Sequence, residues 1–110
     1  MTDTTEIAIA EHFSRTPAGR YVTDGPFSGE YFRDKFLLPP LKAGRTVHVN
    51  LDGTLGYGSS FLEEAFGGLV RNGITTADLR KRLFVKSSRE FYKNRIWRYI
   101  VDAEAQQKAR

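Results

Sequence analysis

The hydrophobic pattern is sharpest over residues 50–71, NLDGTLGYGSSFLEEAFGGLVR. It predicts the end of a strand, a glycine-rich turn, and a helix opening at Gly58-Ser59-Ser60. On a wheel stepped ~100° per residue, Phe61, Leu62, Ala65, Phe66, Leu69 and Val70 share one half. Glu63, Glu64, Gly67, Gly68 and Arg71 occupy the other half, which describes an amphipathic helix with one buried face. The serines place hydroxyls at its positively polarised end, a cap-type start. Gly67 and Gly68 each cost about 1 kcal/mol relative to Ala inside a helix. They do not point at the apolar face, so core volume does not explain them. Two readings stand: a flat outer patch that another backbone approaches closely, or a helix that weakens early.

The rest of the chain supplies the frame. Ile7 and Ile9 alternate with Ala8 and Ala10 and predict a strand over 6–13. Residues 15–29 hold Pro17, Gly19, Gly25, Pro26 and Gly29, a turn-rich stretch with a short strand at 20–22. Ser28 fits an N-cap for a helix over 29–38, striped by Tyr31, Phe32, Phe36 and Leu37 and stopped by Pro39-Pro40. Residues 45–51 form the clearest strand, with Val47, Val49 and Leu51 on one face and Thr46, His48 and Asn50 on the other. Asn72-Gly73 closes the serine-led helix. Thr76 caps a short helix over 77–82, and 83–86 is a strand. Ser87 and Glu90 frame a capping box, and a long helix runs to about Ala105, with the tail fraying. This order predicts one α/β domain over 1–110, a small mixed β-sheet packed by about four helices.

Composition narrows the function classes. A chain of 110 residues buries a core without metal or disulfide. With no cysteine there is no disulfide framework, thiolate nucleophile or Cys-ligated zinc. No run approaches the ~20 apolar residues of a membrane span, and the polar, acidic start is unlike a signal peptide. A soluble cytoplasmic protein with no membrane partner is the expectation. The net charge of +4 is split unevenly: residues 80–110 hold ten Lys/Arg and three Asp/Glu, residues 1–79 seven and ten. That split fits a nucleic-acid surface, an acidic protein partner or a solvated basic helix. In the nucleic-acid alternative Lys86, Arg89, Lys93, Arg95 and Arg98 meet phosphates while Trp97 or Tyr92 stacks on bases.

Catalytic constellations are thin. His12 and His48 are the only histidines and neither has a metal-ligand spacing, so no metal is expected. His48, Asp52 and Ser59 suggest a triad, but the nucleophile-elbow pattern GxSxG is absent. Gly53, Gly56 and Gly58 precede a helix start yet match neither GxxxxGK[ST] nor GxGxxG, so no nucleotide cofactor is expected. Arg20 and Arg33 either face that helix start or lie in solvent. The expectation is a chain that is not an enzyme.

The runs PAGRYVTDGPFSGEYFRDKFLLPPL and VHVNLDGTLGYGSSFLEEAFGGLVR resemble the STAS-like domain family DUF4325 over about residues 7–101. The motifs GRY, SGE-x-FR and SSFLEEAFGGL carry the resemblance. That family is similar to STAS domains, the bacterial anti-sigma factor antagonists, whose signature is Asp-Ser-Ser/Thr-Gly-Leu/Ile at a helix start. The resemblance implies a small mixed sheet packed by helices and a regulatory protein-interaction module. The first serine of the signature is phosphorylated by a histidine-kinase-like ATPase, which releases the partner. The matching positions are Gly58 to Leu62, with Ser59 and Ser60 as phosphorylation candidates. Gly58 stands where the signature has Asp, and Phe61 where it has Gly. The expected partner is such an ATPase or an anti-sigma factor, met by Tyr57, Gly58, Glu63, Glu64, Gly67, Gly68 and Arg71.

Overall fold

Three strands form the sheet in a computed structural model that describes residues 3–109. They are β1 (Thr4–Ala8), β2 (Thr46–Asn50) and β3 (Leu83–Lys86), ordered β1-β2-β3. Both pairings are parallel, so within these residues the sheet is parallel rather than mixed. The reason is in the connections: each contains a helix that returns the chain to the same end of the sheet. Connections of one hand that always step the same way lay their helices on one face. Ile7, Val47, Val49, Leu83 and Val85 are buried under that layer, while Glu6, His48 and Phe84 point the other way and are exposed.

Four helices make the layer. The first, α1, covers 29–42 as Gly29–Phe32, a π turn Arg33–Leu37, and Leu38–Lys42. The second, α2, covers 59–71 and is interrupted in the same way: Ser59–Leu62, a π turn Glu63–Gly67, then Gly68–Arg71. Then follow α3 (Thr76–Arg82) and α4 (Glu90–Lys108). Ser28 caps α1 by accepting from Tyr31 N–H at 3.1 Å. Asn72 and Gly73 end α2 with paired bonds, Gly73 N–H to Val70 O and Ile74 N–H to Leu69 O, both 3.0 Å. That pairing needs a left-handed residue, and Gly73 has φ 100°.

Several boundaries move for physical reasons. The first strand ends at Ala8 because its N–H donates to His12 Nδ1 at 2.9 Å, and residues 9–13 curl into a π turn. The stretch 20–22 is no strand. Asp24 Oδ2 accepts from Arg20 and Tyr21 N–H at 3.1 and 2.8 Å and folds the chain into a tight turn. Helix α1 runs through Pro39-Pro40 because the π turn opens a fresh α segment there, and prolines fit a first turn where no N–H is required. Thr75, not Thr76, caps α3 through Asp78 N–H at 3.1 Å. The Ser87–Glu90 box does not form: Arg89 is the N-cap, and Ser87 Oγ accepts from Arg89 N–H at 3.0 Å. Helix α4 continues to Lys108 instead of fraying at 106.

Helix α2 lies at the centre of the core, with Phe61, Leu62, Ala65, Phe66 and Leu69 all 1% exposed or less. Its contact with α1 is backbone to backbone. A Cβ on Gly29 would lie 2.4 Å from Phe61 O and 3.2 Å from Ala65 N, so only glycine permits the approach. Gly29→Ala is expected to lower the unfolding free energy by about 1–3 kcal/mol, the usual cost of overpacking. Gly58→Ser, where the site is open and serine favours cap geometry, should leave stability unchanged or raise it. Urea unfolding of the two variants beside the native chain checks this, and an unchanged midpoint for Gly29→Ala would remove the close crossing.

Candidate functional site

The loop from β2 to α2 delivers the first turn of α2 to the surface. Tyr57 fixes its path. Its hydroxyl donates to Leu51 O at 2.6 Å, its N–H donates to Tyr92 Oη at 3.2 Å, and the two rings meet edge-on at 5.1 Å. Burial, with only 8% of the residue exposed, pushes its phenol up to about 12. Tyr57 is therefore an internal anchor, which corrects its expected place on a docking surface. Asp52 holds the other side by accepting from Ser88 N–H and Oγ at 2.8 and 2.9 Å. These bonds hold its carboxyl below the ordinary carboxylate value.

Gly58, Ser59 and Ser60 are exposed. Gly58 is the N-cap, with Leu62 N–H donating to its carbonyl at 3.2 Å, and no side chain caps the helix. The two hydroxyls sit in the first turn, at the positive end of the helix dipole. Neighbouring segments carry exposed apolar side chains. Leu55 is 85% exposed, and its N–H donates to Arg15 O at 2.9 Å. Phe27 and Tyr31 are also exposed, and both rest on Phe13, which packs against Phe61 just inside the helix start.

The outer half of the expected wheel is not outer. Glu64, Gly67 and Gly68 are buried and Glu63 is half-buried, so only Arg71 of that group is exposed. The cause is packing on a second side: Arg33 of α1 lies against Gly68 and α4 lies against Gly67 at Tyr99, so α2 is covered on both halves of its wheel. The backbone approach expected at the glycines comes from this chain itself. A Cβ on Gly67 would lie 3.3 Å from Tyr99 O of α4, and one on Gly68 would lie 2.4 Å from Arg33 Nη1. Glu64, Gly67 and Gly68 are therefore too buried to form the expected docking face.

What they form is an ionic cluster. Arg33, 6% exposed, donates through Nη1 to Glu64 Oε2 at 2.5 Å and to Glu64 O at 3.1 Å, and through Nε to Asp34 at 2.9 Å. Arg20 reaches Glu63 at 2.6 Å and Glu64 at 3.2 Å. Arg71 pairs with Glu63 by two bonds, 2.8 and 3.0 Å. The loop before α1 positions Arg20, because Gly29 and Glu30 N–H donate to Gly19 O and Arg20 O and so hold the loop on the helix end. Burial pushes the Glu63 carboxyl up, but the bonds from Arg71 and Arg20 overcome this and hold it below its ordinary value. A cleft of about 440 Å³ opens beside the cluster, lined also by Tyr21, Tyr99 and Asp102. Arg20 and Arg33 are thus structural ligands of α2. The sequence feature tied to this is the Gly67-Gly68 pair inside the helix, since a side chain at Gly68 would displace the Arg33 guanidinium.

The remaining candidates are scattered. His48 stacks on Phe84 at 4.9 Å on the bare side of the sheet, and Asp52 is engaged by Ser88, so the suggested triad does not assemble. Among the described residues no three His, Cys, Asp or Glu side chains could hold a metal ion, and no helix is long and apolar enough to cross a membrane. Lys86, Arg89, Arg95 and Arg98 are exposed, and Lys93 lies 3.9 Å from Glu90. Tyr92 is buried, and Trp97 lies under the Arg80 guanidinium at 5.4 Å, so neither ring offers an open stacking face.

This is a parallel-sheet α/β domain that presents a serine-bearing helix start. The family model described as a STAS-like domain of unknown function, DUF4325, matches residues 28–91, and the chain belongs to that family. No curated protein and no solved structure matched it.

The cluster gives a pH signature. A carboxyl lowered on folding contributes stability above its unfolded value, ordinarily 4.5 for Glu63, and loses that contribution as pH falls through its folded value. Urea unfolding at about pH 6 and about pH 3 should show a marked loss at the acid end. Glu63→Gln should be weaker by about 1–2 kcal/mol at the higher pH and should show a shallower acid loss. An equal acid loss in both proteins would place the sensitive group elsewhere.

Proposed function

We propose that the chain is a non-enzymatic regulatory module that docks a protein partner through the first turn of α2, in the manner of anti-sigma factor antagonists. The supporting observation is the exposed pair Ser59 and Ser60 in the first turn of α2, in the same loop-to-helix segment as Leu55, which is 85% exposed. An exposed large apolar side chain in this segment favours a protein contact, and the two hydroxyls beside it give that contact a switch. A phosphate on Ser59 adds about −1.5 to −2 charge. At the positive end of α2 the fold tolerates it, while an apolar interface does not. Ser60 is the second acceptor. The partner is a histidine-kinase-like ATPase or an anti-sigma factor in a bacterial cytoplasm. Among the described residues His12 accepts from Ala8 N–H and His48 stacks on Phe84, so neither histidine is spent on Ser59, which favours docking over catalysis.

Affinity capture from the native organism with the purified chain tests this reading. The native protein should retain a histidine-kinase-like ATPase or a sigma-type regulator, and Leu55→Asp should lose it while keeping its circular dichroism. Ser59→Asp should lose it as well if phosphate is the switch. Retention by Leu55→Asp would overturn the surface. Recovery of nucleic acid alone would move the function to the basic residues of α4.

A further inference from the structure

A parallel sheet is ordinarily covered by helices on both faces. Here strand order follows chain order, and among the described residues the helix layer lies on one side only. The other side presents the register rows Glu6–His48–Phe84 and Ala8–Asn50–Lys86, with Glu6, His48, Phe84 and Lys86 exposed and Ala8 and Asn50 half-buried. Phe84 is 46% exposed there, stacked on His48 in the middle of the face. The charges sit at opposite edges: Glu6 on β1, Lys86 on β3, one row apart.

We infer that this face is a self-association surface, on which two copies stack their bare sheets about a two-fold axis parallel to the strands. That axis lays β1 of each copy over β3 of the other and β2 over β2. Glu6 of one copy then faces the row pair that holds Phe84 and Lys86 of the other. The offset of two residues, about 6.6 Å along the strand, is within the reach of a lysine stem. By symmetry the contact occurs twice, so the face is complementary to itself. A two-fold axis normal to the strands would instead lay β1 on β1 and bring the Glu6 side chains toward each other. The charge pattern therefore selects one arrangement and one occupant, a second copy.

Area sets the strength. Three strands of four or five residues cover roughly 240 Å² at the usual spacings, well below the roughly 800 Å² per partner of a standard interface. The dimer is accordingly weak and transient, populated only at protein concentrations of roughly 10 µM to 1 mM. It is independent of the first turn of α2 and stands whether or not that turn docks a partner.

Sedimentation equilibrium of the full chain from about 10 µM to about 1 mM spans that range. The native chain should pass from monomer to dimer. Glu6→Lys and Lys86→Glu, both at exposed positions, should each weaken the dimer by about fivefold or more, and the double reversal should restore it. Phe84→Asp should abolish it, and Ser59→Asp should leave it unchanged. A monomer throughout, a dimer indifferent to the single reversals, or a double reversal without recovery would each overturn the inference.

Discussion

The structure depends on the buried contact between Arg33 and Glu64. A carboxylate and a guanidinium withdrawn from water cost several kcal/mol each unless they meet and their remaining valences are filled. Both conditions are met. Arg33 takes the Glu64 carboxylate and carbonyl, Asp34 takes its Nε, and Arg20 and Arg71 complete the two glutamates. The pair joins α1 and α2 at the point where each helix opens a π turn. A π turn disturbs the regular ladder of carbonyl bonds, and the Arg33 bond to the Glu64 carbonyl serves as a side-chain partner within that segment. Gly68 leaves the space for the guanidinium, and Gly29 lets the two backbones meet a turn away. Such a pair sets register more than it adds net stability.

The proposed docking rests on where this locked helix points. Its start emerges at the carboxyl end of the parallel strands, between a turn held by Tyr57 and a loop held by Asp52 and Ser88. The serines there have no structural duty as caps, because Gly58 is the cap. A rigid helix with an unencumbered first turn suits a surface that must present one group repeatedly in one geometry. It also suits a switch that adds charge without unfolding the domain, since the ionic cluster lies one turn deeper, beyond the apolar ring of Phe61.

Much of this was legible in the sequence. The strand at 46–50, the Ser28 cap, the glycine stop at 73 and the serine-led helix all follow from local rules whose partners lie a few residues away. The motifs SGE-x-FR and SSFLEEAFGGL, both inside the matched residues 28–91, pointed to the family, and GRY lies outside that match. What local rules missed came from long-range partners. Arg20 and Arg33 are separated from Glu63 and Glu64 by some thirty to forty-five residues, so nothing near them in sequence marks them as buried ligands. The apparent outer face of α2 is buried because Arg33 of α1 and Tyr99 of α4 pack over it, and a helical wheel does not contain those partners. Pro39-Pro40 failed as a stop because a second π turn had already restarted the helix. The parallel sense of the sheet follows from the helical crossovers once all three strands are known to be neighbours, which strand patterns alone do not state.

Hydrogen exchange of the chain, alone and with its captured protein partner, tests the central claim most directly. Slowed exchange confined to residues 55–62 and the neighbouring 27–31, with α4 unchanged, is the predicted result. Slowed exchange along 86–98, with 55–62 unaffected, would contradict docking through the first turn of α2.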